Sequence, residues 1–136
     1  MRAVVDTNVL VSGLISSQGA PAKILDLIMG HVLTLVVDDR IMAEYWDVLN
    51  RRYFDRYFNA LERTAVLEFL TVFSEKAIPC VAIPRLSDPG DIPFLEVALS
   101  AGVPLVTGNK KHFVCPPGKA VQIYAPGEFL LKFCGM

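Results

Sequence analysis

The sequence predicts one α/β domain over residues 1–136, a three-layer α/β/α sandwich around a central, mostly parallel sheet. Short apolar runs alternate with longer helical patterns along the chain, and this alternation is typical of parallel sheets covered by helices on both faces. The chain contains no internal repeat, low-complexity tract or linker at which it would divide. Its length suits a single domain, and its hydrophobic content of 53% indicates either a dense core or apolar surface for a partner.

Strands are predicted where short apolar runs end at a polar residue or a turn residue. These runs cover residues 3–5, 33–37, 81–83, 104–107 and 121–124, and Pro84 closes the third of them. Helices are predicted for residues 8–15, 21–30, 61–75 and 91–101, the last of which stops at Gly102. Its inner stripe is Phe94, Leu95, Ala98 and Leu99.

One further helix follows the second strand, with Asp38 or Asp39 as its N-cap. Its inner face is predicted from apolar residues at positions i, i+3, i+4 and i+7, namely Met42, Tyr45, Trp46 and Leu49.

Charge and cysteine content limit the classes of function. The formal net charge of −1 gives no global basic field, so any RNA contact needs a local patch or metal ions at an acidic site. Cys80, Cys115 and Cys134 are odd in number and form no C-x-x-C pair, which favours reduced thiols in a cytoplasmic protein. Asp6 interrupts the first apolar run, and no run is long enough to cross a bilayer, so we expect neither a signal peptide nor a membrane span.

Four polar residues are predicted to meet at one edge of the sheet. Asp6 follows the first strand, and Asn109 follows strand 104–107. Asp91 opens the helix before that strand, and Glu44 lies about one turn into the helix after the second strand, off its apolar stripe. In open α/β sheets the functional site lies at the carboxyl ends of the strands.

Each acid also has a structural interpretation when it is considered alone. Asp6 and Asp91 would serve well as helix N-caps, and Glu44 as a solvated helix residue. Asp38, Asp39, Asp47 and Asp88 fit caps, turns or solvated faces. Together, however, three converging carboxylates repel one another by about 4 kcal/mol per pair at ~4 Å unless a cation lies between them. Oxygen ligands without His or Cys favour Mg²⁺ or Mn²⁺, which assist phosphodiester hydrolysis.

Four segments resemble the motifs of the PIN-domain family in the family's order and spacing. Residues 4–10 are similar to its opening strand and first aspartate, and residues 44–49 to its E-Y-x-x-V-L helix. Residues 88–91 with 94–98 resemble the third motif, whose functional acid falls on Asp91. Residues 105–109 with His112 and Phe113 resemble the fourth. The resemblance covers nearly the whole chain and is strongest to the toxin-like PIN proteins of prokaryotic toxin–antitoxin pairs.

This resemblance implies a divalent-metal-dependent ribonuclease, in many members a homodimer inhibited by an antitoxin. Asp6, Glu44 and Asp91 would be catalytic residues and metal ligands, with Asn109 as a further ligand. Thr7, Asn8 and Thr107 would support the metal site. Many family members carry an aspartate where this chain has Asn109, and the lost charge puts a second metal site in doubt.

Two basic segments are candidates for RNA contact. Arg51 and Arg52 precede a run of aromatics, a composition suited to phosphate contact and base stacking, although a helix end with packed aromatics and solvated arginines is slightly favoured. Lys110 and Lys111 lie beside the predicted site, next to His112, for which a structural role is favoured over that of general acid.

Other classes of function are less consistent with the sequence. A phosphatase of the haloacid-dehalogenase type needs an aspartate two residues after Asp6, where this chain has Asn8. A response-regulator receiver domain needs a paired acid at the end of the first strand, where Val5 precedes Asp6. The remaining alternative is a PIN-fold module that binds RNA or protein without cleaving, because Asn109 weakens catalysis.

Overall fold

The sheet is the frame on which the other elements are arranged. The computed structural model describes residues 1–86 and 88–136, and within these ranges five strands form one sheet in the order β3-β2-β1-β4-β5. They are β1 (Arg2–Val5), β2 (Thr34–Val37), β3 (Glu75–Lys76), β4 (Leu105–Val106) and β5 (Ile123–Tyr124). Every neighbouring pair is parallel. β1 lies at the centre of the sheet, so its carboxyl end is flanked by those of β2 and β4.

Helices pack on both faces of this sheet, which confirms the predicted three-layer sandwich. They are α1 (Thr7–Ile15), α2 (Ala20–Met29), α3 (Asp39–Leu49), α4 (Ala60–Phe73), α5 (Ile92–Ala101) and α6 (Pro126–Cys134). α2 contacts α1 and α6, whereas α3 contacts α4 and α5. Short 3₁₀ turns occupy Arg52–Arg56, Pro89–Asp91 and Lys110–His112. In the described part of the chain, no helix is long and apolar enough to cross a membrane.

The central strands β1, β2 and β4 are almost entirely apolar because both of their faces are covered. Ala3, Val4 and Val5 of β1 are all fully buried, as are the two residues of β4. A strand with one solvated face would instead alternate apolar and polar residues. The burial pattern therefore explains why these strands could be located from composition alone.

The prediction of a strand at residues 81–83 is wrong. The backbone there pairs with side chains of α5: Ile83 N donates to Glu96 Oε2 at 2.9 Å, and Val81 N donates to Ser100 Oγ at 3.1 Å. Because these donors are satisfied by a helix, the segment makes no strand ladder. The edge of the sheet is formed instead by Glu75–Lys76, which pairs with β2.

Two details of the predicted helices are also corrected. The helix predicted for residues 61–75 ends at Phe73, and Glu75 lies in β3, where its carboxylate forms an ion pair with Arg2 of β1. Trp46 does not belong to the inner face of α3, because its side chain is 39% exposed and its indole N–H donates to Thr71 Oγ1 at 3.1 Å. Met42, Tyr45 and Leu49 are buried as predicted.

Helix α6 was not predicted from the sequence. A proline at its start and a glutamate two residues later are helix-start signals. Glu128 Oε1 accepts a 2.7 Å hydrogen bond from Ala125 N, which satisfies a donor before the first turn. Phe129 and Leu130 are buried, and Phe133 packs on Phe129 with ring centroids 4.8 Å apart. The spacing of these apolar residues, together with the start signals, could have identified the helix.

Candidate active site

Asp6 lies directly after β1, at the carboxyl edge of the sheet. Its side chain is buried, and Oδ2 accepts a 2.7 Å hydrogen bond from the hydroxyl of Thr107, which follows β4. The same hydroxyl oxygen accepts a 3.0 Å hydrogen bond from Asn109 N. The Asp6 side chain makes no capping hydrogen bond to α1, so the alternative of a simple N-cap is not supported. Thr107 instead fixes the Asp6 carboxylate from the neighbouring strand.

Glu44 reaches the same edge from α3. The buried Tyr45 donates its hydroxyl hydrogen to the carbonyl of Val5, which fixes α3 against the end of β1. Glu44, half-buried, accepts a hydrogen bond at Oε2 from the hydroxyl of Thr7. By contrast, the Asp47 side chain is 70% exposed and forms an ion pair with Arg51 at 3.0 Å. Of these two acids on α3, Glu44 is the one held toward the end of β1.

Asp91 is brought to the site by a 3₁₀ turn. It is the last residue of the turn Pro89–Asp91 and makes no side-chain capping hydrogen bond to α5. Its Oδ2 lies 3.7 Å from Nδ1 of His112, close enough for an ion pair when the imidazole is protonated. Asp38, in contrast, is a true cap, because its Oδ1 accepts from Ile41 N at 2.9 Å. The structure thus separates capping acids from acids that are available for other roles.

Asn8 and Asn109 both form hydrogen bonds near the end of β4, Asn8 through its side chain and Asn109 through its main chain. Asn8 Oδ1 accepts a 3.3 Å hydrogen bond from Gly108 N, and a Cβ at Gly108 would lie 3.6 Å from the Asn8 amide. Asn8 therefore fastens the start of α1 to the loop after β4. Asn109 is exposed, and its main-chain N–H, not its side chain, makes the hydrogen bond to Thr107.

The three predicted acids share one open cleft of about 380 Å³. Its lining consists of Asp6, Thr7, Asn8, Val11, Ser12, Glu44, Val48, Arg51, Phe54, Asp88, Gly90 and Asp91. Asn109 is not part of this lining.

Asp88 is a fourth acid of the cleft, and sequence reasoning assigned it only to a turn. Its Oδ1 accepts a 2.9 Å hydrogen bond from Gly90 N, so the turn interpretation is also correct. Its spacing of three residues from Asp91 could have indicated this position, because side chains three residues apart lie on the same side of a 3₁₀ turn.

The electrostatics of the cleft are those of crowded, poorly solvated carboxylates. Burial raises the pKa of Asp6 and outweighs the hydrogen bond from Thr107. Burial also raises the pKa of Glu44, and the negative charges of Asp6 and Asp88 raise it further. Burial, with the charges of Asp6 and Asp88, raises the pKa of Asp91 to about 6. Each shift reports that the negative charge of the cleft is not fully compensated by the protein.

This donor set fits a hard divalent cation in its chemistry. All of the acidic groups offer oxygen, and a cation between them would relieve both their desolvation and their mutual repulsion. Across residues 1–86 and 88–136, however, no three Asp, Glu, His or Cys side chains come together closely enough to coordinate an ion. Coordination of one ion by all three acids would therefore require their carboxylates to move closer together by side-chain rotation.

The predicted RNA-contacting residues are distributed unevenly. Arg51 lines the cleft together with Phe54, whereas Arg52 is exposed outside it. Lys110 forms an ion pair with Glu128 at 2.9 Å, and Lys111 is exposed. Of the four, Arg51 is the residue that borders the acids directly.

Comparisons with known proteins agree with this architecture. Residues 2–111 match the sequence profile of the PIN domain. The chain is 30% identical over 113 residues to an uncharacterised protein of Methanocaldococcus jannaschii, an alignment that covers 81% of this chain and 72% of that protein. Its fold is similar to that in the crystal structure of VapBC2 from Rickettsia felis bound to a DNA fragment from its promoter. That similarity has a TM-score of 0.56 at 14% identity and covers 92% of this chain and 98% of the other.

Proposed function

The chain belongs to the PIN-domain family, and on that premise we propose that it is a divalent-metal-dependent endoribonuclease that hydrolyses RNA phosphodiester bonds. PIN domains are generally nucleases, which supports the proposal at the level of the family. The observation that carries it is the convergence of Asp6, Glu44 and Asp91 on one cleft at the carboxyl edge of the sheet. Acids that do not cap a helix, and whose pKa is raised, are suited to a functional role at such an edge of the sheet.

In this proposal Asp6, Glu44 and Asp91 hold Mg²⁺ or Mn²⁺, and Asn109 adds a neutral oxygen if its side chain turns inward. The bound ion would polarise a phosphoryl oxygen and lower the pKa of its water. Thr107 keeps Asp6, and Thr7 keeps Glu44, in a fixed orientation through their hydroxyl hydrogen bonds. Asn8 fixes the loop that carries Gly108.

Arg51 contributes charge rather than a metal ligand. Its guanidinium lies at the cleft and is paired with Asp47 on the outer side of α3. A phosphate entering the cleft would meet this cation at the border of the acids, where guanidinium binds phosphate oxygens well. Phe54 beside it offers an aromatic face for a base.

The proposal is tested by calorimetric titration of the metal-free protein with MgCl₂ and MnCl₂, followed by an assay with a fluorescent single-stranded RNA. We expect metal binding, and cleavage that requires the metal and stops in EDTA. The variant Glu44→Gln should lose both, whereas Glu68→Gln, an exposed glutamate of α4, should lose neither. Absence of metal binding and of cleavage in the unmodified protein contradicts the proposal.

A second candidate function is a PIN-fold module that binds RNA or protein without cleaving it. Two observations favour it: position 109 is an amide, and among the described residues no three acidic side chains are grouped so that they could hold an ion. Retention of RNA binding in a protein that shows no metal-dependent cleavage distinguishes this candidate from the enzyme.

We further propose that the protein is the toxin of a cytoplasmic toxin–antitoxin pair and forms a homodimer. The fold likeness to VapBC2 supports an antitoxin partner, and the unpaired thiols of Cys80, Cys115 and Cys134 suit a reducing compartment. Exposed apolar side chains such as Val72 and Phe73 are candidates for a protein interface. Growth arrest on expression in a host cell, and its loss in the Asp6→Asn variant, would test the toxin assignment.

A further inference from the structure

A second cavity, which we term the basic groove, opens next to the acidic cleft. It has a volume of about 670 Å³, and its lining includes Arg85, Leu86, Lys111, His112, Val114 and Pro116. The groove thus combines cationic side chains with apolar walls. The proposed hydrolysis of RNA assigns it no role.

The basic groove and the acidic cleft meet at one pair of residues. His112 lines the groove, and its Nδ1 lies 3.7 Å from Oδ2 of Asp91, which lines the cleft. The two cavities are therefore neighbours that meet at the His112–Asp91 pair. A chain molecule that crosses this pair would have one part in the groove and another beside the acids where the scissile phosphate would bind.

Among the described residues, no carboxylate pairs with the two cations of the groove. Arg85 and Lys111 are exposed, and neither forms an ion pair within the described ranges. Lys110, one residue away, is already paired with Glu128. Other exposed lysines such as Lys23 and Lys132 also lack an ion pair among the described residues, but Arg85 and Lys111 line one cavity together. They provide a binding site for an anionic ligand.

We propose that the basic groove holds single-stranded RNA on one side of the cleavage point, with Arg85 and Lys111 on its phosphates and Leu86, Val114 and Pro116 against its bases. The inference rests on the proposed nuclease function, because the position of the groove directly beside the cleft is what favours RNA over an acidic peptide. Mixed cationic and apolar lining suits a single strand, whose unstacked bases expose their faces.

Binding is measured by fluorescence anisotropy with a labelled 12-nucleotide single-stranded RNA in EDTA, where no metal-dependent cleavage occurs. Each phosphate contact adds about 0.7 to the slope of log K against log salt for single strands. We expect the Arg85→Ala/Lys111→Ala variant to lower this slope by about 1.4 and to weaken binding about 25-fold at 0.1 M salt.

The matched control is Lys23→Ala/Lys132→Ala, which removes the same charge from exposed positions of α2 and α6 outside both cavities. It should change neither the slope nor the dissociation constant. Equal effects of the two double variants, or no effect of either, overturn the proposal. A groove-dependent affinity for an oligoglutamate peptide without one for RNA also overturns it, in favour of a protein partner.

The chain's own cysteines provide a second readout. Cys115 lines the basic groove, whereas Cys80 is exposed and lies outside it, and both thiols are free. Saturating RNA should slow alkylation of Cys115 several-fold and leave that of Cys80 unchanged. Equal rates with and without RNA contradict binding in the groove. Neither the anisotropy titration nor the alkylation measurement requires cleavage. Both therefore test RNA binding in the groove even if the protein shows no nuclease activity.

Discussion

The hydroxyl of Thr107 donates a 2.7 Å hydrogen bond to Asp6 Oδ2 and thereby joins two residues that are 101 positions apart in the sequence. Both follow neighbouring parallel strands, β1 and β4, so the bond spans the carboxyl edge of the sheet. Like the hydrogen bond from Thr7 to Glu44, it orients a carboxylate of the cleft without cancelling its negative charge. The buried carboxylate keeps a raised pKa in spite of the bond.

We expect Asp6→Asn to abolish metal-dependent RNA cleavage and to leave the fold intact. The amide removes the charge that would bind a cation, but its oxygen can still accept the hydrogen bond from Thr107. Because burial disfavours the charged form of Asp6, the metal-free variant should melt at the same temperature as the unmodified protein or above it. Cleavage assays and thermal melting check this, with Asp26→Asn on the exposed face of α2 as control. Full activity in folded Asp6→Asn protein would refute the mechanism.

The two acids of α3 should differ sharply in their effect on cleavage. Glu44→Gln should lower the rate by several orders of magnitude, because Glu44 is held in the cleft by Thr7. Asp47→Asn should cost a few-fold at most, since its carboxylate is mostly exposed and only pairs with Arg51. Single-turnover cleavage at saturating metal compares them. Equal losses, or a greater loss at Asp47, would show that the wrong acid is assigned to the site.

The metal-free protein should be more stable in mild acid than at neutral pH. The pKa of Asp91 is about 6 in the folded state against an ordinary value of 3.8, so the folded protein holds the proton more tightly than the unfolded chain. Its contribution to stability is complete below the ordinary value and is lost as pH rises through about 6. Urea denaturation between about pH 4 and 7 measures the trend.

The variant Asp91→Asn isolates that contribution to the pH dependence, because it cannot titrate. Its free energy of unfolding should depend less on pH than that of the unmodified protein over the same range. Saturating Mg²⁺ should oppose the trend, since a cation favours the charged carboxylate. Identical pH profiles for the two proteins would mean that Asp91 titrates normally.

Asn109→Asp should tighten Mg²⁺ or Mn²⁺ binding and raise cleavage at limiting metal. An added carboxylate a few ångströms from a cation in a solvated setting contributes on the order of 1 kcal/mol. The same charge should lower the melting temperature of the metal-free protein. Asn109 is exposed and does not line the cleft, so the effect requires its side chain to turn inward. If metal affinity and metal-free stability both stay unchanged, Asn109 lies outside the metal site.

Light scattering at micromolar concentration should give about twice the 15.0 kDa mass of one chain. Val72 and Phe73 near the end of α4 are more than half exposed, and Phe73 packs edge-on against His31 at 4.8 Å. Their burial in a two-fold interface would remove apolar surface from water. A monomeric mass under these conditions contradicts the homodimer.

Local sequence was sufficient for most elements and for expecting Asp6, Glu44 and Asp91 at one edge of the sheet. β1, β2 and β4 are apolar on both faces because helices cover them, so composition alone located them. The apolar stripe of α3 left Glu44 off its buried face, and spacing along the chain placed Asp6 after a strand. These are properties of single segments, which sequence periodicity records directly.

Tertiary structure decided what depends on partners distant in the sequence. Residues 81–83 are apolar enough for a strand, but their backbone donors are taken by Glu96 and Ser100 of α5. Asp38 caps a helix because its side chain accepts a hydrogen bond from Ile41 N in the first turn of α3, whereas the Asp6 side chain makes no such bond to α1. Asp88 lines the cleft together with Asp91 because a 3₁₀ turn follows it. Hydrogen bonds and charge interactions depend on the distance between groups in space. The local sequence determines that distance only for residues within the same helix or strand.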